Sequence, residues 1–132
     1  MIIVDTSVWI QAFNVDNSVE HREVDRLLAQ RNVAMVGIVL AEILQGARNL
    51  PEFERLQEQL TSLPYCAETQ TTWTKVGNLS YGLKRRGLAV GIADLLIGSL
   101  AIEYGHQVYS LDEHFQRIPS LKLHLPSNRG RS

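Results

Sequence analysis

Residues 2–7 read Ile2-Ile3-Val4-Asp5-Thr6-Ser7, and the reading of the whole chain grows from those six side chains. Three β-branched residues in a row suit a strand whose two faces are both covered. The three that follow each carry an oxygen able to accept a backbone N–H at the start of a helix. The chain therefore opens with a buried strand that turns directly into a helix, and Asp5 falls at the carboxyl end of that strand.

The same alternation continues outward. After a polar loop over residues 14–17, Ser18 is placed to cap a helix whose Val24, Leu27 and Leu28 face inward, followed by a strand at Val33-Ala34-Met35-Val36. Apolar residues recur at helical spacing through residues 38–50 (Val39, Ile43, Ala47, Leu50). Pro51 then suits the start of a second helix bearing Phe53, Leu56 and Leu60, so the two predict a helical hairpin. Ser62-Leu63-Pro64-Tyr65 reads as a third strand, held to an edge or a strand end by its proline. Trp73, Val76, Ser80 and Leu83 mark the inner face of a long helix that ends at Lys84-Arg85-Arg86-Gly87, and Trp9 is likewise expected in the core. Residues 91–104 are apolar on nearly every side and predict a helix enclosed by protein. Gln107-Val108-Tyr109-Ser110 is the next strand, residues 113–117 a short helix and Leu121-Lys122-Leu123-His124 a last strand. Strands alternating with helices imply an α/β fold with a parallel sheet covered on both faces. The expected single domain spans residues 1–125, with residues 126–132 as a loose tail.

Composition narrows the function. The most apolar stretch, residues 93–102, is well short of the ~20 residues a membrane-spanning helix needs. Met1-Ile2-Ile3-Val4 lacks the basic lead and long apolar stretch of a signal peptide, so the expected location is cytoplasmic. Cys66 is the only cysteine, with no partner for a disulfide or a zinc site, and is expected to pack in or near the core. The net charge of −1 is unevenly spread: residues 1–68 hold ten acids against five Lys and Arg, residues 69–132 four against eight. Arg85 and Arg86, on the basic side, are candidate phosphate contacts, although cations at a helix C-terminus also complement its dipole.

In open parallel sheets, ligands bind beyond the carboxyl ends of the strands. Asp5 and Asp112 both occupy that place, and each also reads as an N-cap. Asp94 is the only ionisable residue before Glu103 on the helix that otherwise looks buried. Its turn neighbours Gly98 and Ala101 leave room beside it, while the plainer reading is a first-turn acid favoured by the dipole. Glu42 lies at the margin of its helix's polar face and also reads as a solvated surface residue. Four carboxylates converging at one end of a sheet would raise one another's pKa values unless a cation neutralised them. An oxygen-only donor set points to Mg²⁺ or Mn²⁺, and phosphodiester hydrolysis is the chemistry such ions serve.

In this order, Ile2-Ile3-Val4-Asp5-Thr6-Ser7, Glu42, Asp94-Leu95-Leu96-Ile97-Gly98 and Ser110-Leu111-Asp112-Glu113-His114-Phe115 make the chain resemble a PIN-domain ribonuclease of the VapC toxin type, over residues 1 to about 125. The resemblance implies a three-layer α/β/α sandwich in which Asp5, Glu42, Asp94 and Asp112 form a metal-binding catalytic set. Thr6 and Ser110 would hold waters or an acid in place. It further implies an endoribonuclease that inhibits translation, usually dimeric and held inactive by a VapB-type antitoxin. One position departs from the pattern: many relatives carry another acid two residues after the last aspartate, and this chain has His114 there, which puts a second metal in doubt. Two rivals stand beside this reading. Asp5 could be the nucleophile of a phosphotransferase or phosphatase, although a second acid two residues on is missing. A PIN-like binding module without catalysis, acting only with its antitoxin in regulation, is the other, and retention of all four acids argues against it.

Overall fold

The computed structural model describes residues 1–126, and the expected tail beyond Pro126 lies outside them. Ile2–Val4 forms β1, buried at every position. It is the middle strand of a parallel sheet of order β2-β1-β3, with β2 at Val33–Ala34 and β3 at Gln107–Tyr109. The register pairs Ile2 with Val33 on one side and Ile2 with Gln107, Val4 with Tyr109, on the other.

The two outer strands expected from sequence are each reduced to one parallel bridge, Met35 with Tyr65 and Val108 with Leu123. Ser62 is still in helical geometry, and Pro64, lacking an N–H, joins the sheet only by accepting from the Met35 N–H at 2.7 Å. At the other edge, Ser120 turns at φ 67° and Leu125 is exposed, so pairing is confined to the bonds around Val108.

Six helices flank the sheet, giving the expected three-layer α/β/α sandwich. Thr6–Asn14 is α1 and Val19–Ala29 is α2, the latter capped by Ser18, which accepts the His21 N–H at 3.0 Å. The apolar periodicity over residues 38–50 does not form one helix. Instead α3 stops at Gln45 (Gly37–Gln45), Gly46 closes it, and Asn49 caps α4 (Leu50–Thr61) by accepting the Glu52 N–H at 2.9 Å. Leu50, read as an inward residue of the first helix, is therefore an exposed first residue of the second. The two do pack as the expected hairpin.

Helix α5 (Gln70–Arg85) opens with a capping box between Thr69 and Thr72. Its buried line is Thr72, Val76 and Leu83, which leaves Trp73, one residue round the helix, 47% exposed rather than in the core. Trp9 and Cys66 are buried as expected. Helix α6 (Ile92–Tyr104) is enclosed from Leu95 to Ala101, exposed again at Ile102, Glu103 and Tyr104, and closed by Gly105 at φ 71°. It packs against α5 and β3. Among the described residues no helix is long and apolar enough to cross a membrane.

Candidate metal centre

Asp5 follows the last residue of β1 and stands at the N-cap position of α1, yet its side chain makes no capping hydrogen bond. Its Oδ2 instead accepts two hydroxyl protons, from Ser7 at 2.8 Å and from Ser110 at 2.7 Å. The carboxylate is 7% exposed, so these bonds replace hydration it has lost. Of the two readings of Asp5, the side-chain cap is the one the structure does not form.

Ser110 follows β3, the neighbour of β1, which is why a residue 105 positions away reaches Asp5. Its Oγ also accepts the Asp112 N–H at 2.9 Å, while the Leu111 N–H donates to Ser7 Oγ at 3.2 Å. The loop after β3 is thus stitched to the start of α1, and Asp112 is delivered to the same end of the sheet. Asp112 does serve as a cap: its Oδ1 accepts the His114 N–H at 2.9 Å, at the start of the 3₁₀ helix Glu113–Arg117.

Asp94 projects from the first turn of α6. The room expected beside it at Gly98 is taken by another residue: a Cβ on Gly98 would lie 2.7 Å from Ile118 Cδ1. The missing side chain lets the segment after the 3₁₀ helix close onto α6, which sets Asp112 and His114 against Asp94. One ligand atom each from Asp94, Asp112 and His114 lies within 4.8 Å of the others. Burial, then the charges of Asp112 and Asp5, raise the Asp94 carboxyl to about 6, with a hydrogen bond to Asp112 adding to the rise and His114 opposing it.

Glu42, on α3, stands outside that tightest group and reaches the site through Thr6, whose Oγ1 donates to Glu42 Oε1 at 2.8 Å. Thr6 and Ser110 both hold an acid, one of the two roles expected of them. Ser7 was missed as a partner of Asp5. The available signal was a hydroxyl two residues after a strand-end aspartate, overshadowed by its fitness as a cap. Arg85 and Arg86 end α5; Arg85 donates to Tyr81 Oη at 3.1 Å and lies 5.3 Å over its ring.

The donor set fits a hard divalent cation. Three aspartates interact electrostatically with no Lys or Arg among the causes that shift Asp94, and the proton that Asp94 holds up to about pH 6 is what a cation would displace. Two carboxylates, Asp94 and Asp112, offer oxygens close enough to share such an ion, with His114 beside them.

A family model described as PIN domain matches residues 2–121. The chain is 30% identical over 122 residues to Ribonuclease VapC11 of Mycobacterium tuberculosis, covering 89% of this chain and 91% of that one. It is likewise 30% identical over 126 residues to Ribonuclease VapC2 of Rickettsia felis, covering 92% and 94%. The fold superposes on VapBC2 from Rickettsia felis, solved bound to a DNA fragment from its promoter, with a TM-score of 0.73, 28% identity and coverage of 94% and 98%. The protein therefore belongs to the PIN-domain family, among its VapC-type members.

Proposed function

We propose that the protein is an endoribonuclease, the toxin of a type II toxin–antitoxin pair, which uses Mg²⁺ or Mn²⁺ to hydrolyse RNA and thereby inhibits translation. The observation that carries the reading is the convergence of Asp94, Asp112 and Asp5 at the carboxyl end of the sheet. It is supported by relatives named as ribonucleases.

Asp5, Asp94, Asp112 and Glu42 are the proposed catalytic and metal-holding residues. Ser7 and Ser110 anchor Asp5 by Oδ2, which keeps Oδ1 as its ligand oxygen. Thr6 holds Glu42 by Oε1, which leaves Oε2 for a water or a phosphate-bound ion. Asp94, whose carboxyl is raised to about 6, would give up its proton where it held a cation. Asp5, Asp94, Asp112 and Glu42 would hold a divalent ion there, which would supply charge to acidify the attacking water and stabilise the leaving oxygen. Arg85 and Arg86, both exposed, are the proposed phosphate contacts, with Tyr81 fixing one of them.

A nucleophilic Asp5 is less favoured. Its carboxylate is buried and its Oδ2 is occupied by two donors, so it is held in place rather than presented for attack. The proposal extends to a VapB-type antitoxin as the inhibitory partner, as in the VapBC complexes of similar fold, to a homodimer, and to a cytoplasmic place of action.

The test is incubation of the purified, antitoxin-free protein with total cellular RNA and Mg²⁺ or Mn²⁺. Discrete products with mapped ends, absent in EDTA, support it. Intact RNA under every metal condition overturns it and leaves the non-catalytic binding module.

A further inference from the structure

His114, in the 3₁₀ helix that Asp112 caps, lies back against its own cap: its N–H donates to Asp112 Oδ1 at 2.9 Å, and its Nδ1 lies 3.3 Å from that same oxygen. The imidazole is thereby held beside the carboxylate and not swung into solvent, although it is half exposed. An ion with six ligands at ~2.1 Å places adjacent donor atoms ~3 Å apart and opposite ones ~4.2 Å apart. The Asp112 to His114 separation matches an adjacent pair. With the ligand atoms of Asp94, Asp112 and His114 all within 4.8 Å of one another, side-chain movements of a few tenths of an ångström complete a shared sphere.

We propose that His114 is a nitrogen ligand of the cation at this centre, and that it makes the site favour Mn²⁺ over Mg²⁺. The inference rests on the metal-dependent reading given above. Mg²⁺ holds to oxygen and dehydrates reluctantly, whereas Mn²⁺, although it also prefers oxygen donors and stands lowest of the first-row series, tolerates a nitrogen donor better than Mg²⁺ does. Exchanging an oxygen donor for an imidazole therefore costs Mg²⁺ binding more than Mn²⁺ binding.

The test is pulsed electron paramagnetic resonance of the full chain loaded with Mn²⁺, without RNA, beside calorimetric titration of Mn²⁺ and Mg²⁺ into the wild type and His114→Asp. The expected wild-type spectrum shows nitrogen coupling from a directly bound imidazole, lost in His114→Asp, and the Mn²⁺ to Mg²⁺ affinity ratio falls at least about tenfold in that variant. Bound Mn²⁺ with oxygen ligands alone overturns the proposal and leaves the metal-dependent nuclease standing. Absence of Mn²⁺ binding overturns both. The wild-type spectrum carries the test even if the variant folds poorly.

Discussion

Ser110 Oγ donates to Asp5 Oδ2 across 2.7 Å, and accepts the Asp112 N–H on its other side. One hydroxyl thus fixes two acids that the chain places 107 residues apart. Ser110→Ala removes a charge-assisted bond and leaves the Asp112 N–H without its partner, which costs about 2 kcal/mol by the usual worth of such bonds. Urea unfolding measures this loss. Cleavage is expected to slow by more than the change in folded fraction, because Asp5 is then held by Ser7 alone; a variant with wild-type stability and rate contradicts the assignment.

The bond from Thr6 to Glu42 makes a different prediction, since serine can replace it and alanine cannot. Thr6→Ser keeps the Oγ that donates to Glu42 and should retain most activity. Thr6→Ala frees the glutamate and should lower kcat by roughly tenfold, the low end for losing an outer-shell support of a metal ligand. Equal rates in the two variants would show that Glu42 needs no such restraint.

Asp94 links the site to stability through pH. Its carboxyl is raised from 3.8 to about 6 in the metal-free fold. The stability it contributes is complete below the unfolded value and is lost as pH rises through the folded one. Metal-free protein should therefore melt at higher temperature near pH 5 than near pH 7.5, and Asp94→Asn should stabilise it at the higher pH. The gain is on the order of 1 kcal/mol once solvent screening is allowed for. Adding Mn²⁺ or Mg²⁺ at pH 7.5 should raise the melting temperature of the wild type more than that of the variant. The reverse order in calorimetric scans would mean that Asp94 is not the strained acid of the cluster.

Glu23 ties α2 to His124. It is 4% exposed, receives Arg26 Nε and Nη2 at 2.8 and 2.7 Å, and meets His124 Nε2 at 2.5 Å. His124 also packs edge-on against Tyr109 of β3. Glu23→Ala removes the partner of half-exposed Arg26 and of partly buried His124 and should cost about 1–2 kcal/mol, since Arg26 can rehydrate. Unfolding by urea reports it, while RNA cleavage per folded molecule should remain within a factor of about two, a rate difference worth under 0.5 kcal/mol.

Much of this was legible because the fold is local in its logic. A β-branched run ending in Asp5 forecasts a strand end and hence a place at the ligand-binding edge of a parallel sheet, and the apolar wall of α6 makes Asp94 conspicuous. What sequence did not resolve depends on rotamers and on contacts distant in the chain. Whether Asp5 caps α1 or faces Ser110 turns on one side-chain torsion and on the pairing of β1 with β3. Trp73 lies one residue from the buried Thr72, a shift of about 100° round a helix that periodicity with a few apolar positions does not distinguish. The role of Gly98 was misread because the residue that fills its space, Ile118, comes from another element. That His114, which stands where many relatives carry an acid, lies beside Asp112 and Asp94 depends on the turn at Asp112.

The central claim is that the acids at the end of the sheet are a nuclease's metal centre. Its most direct test is single-turnover cleavage of end-labelled RNA by wild type, Asp5→Asn and Asp94→Asn, with Mn²⁺ present and circular dichroism confirming that all three are folded. The account predicts that each variant, equal in size and lacking one charge, loses at least about a thousandfold in rate, which corresponds to ~4 kcal/mol of transition-state stabilisation. A folded variant that cleaves at the wild-type rate would contradict it.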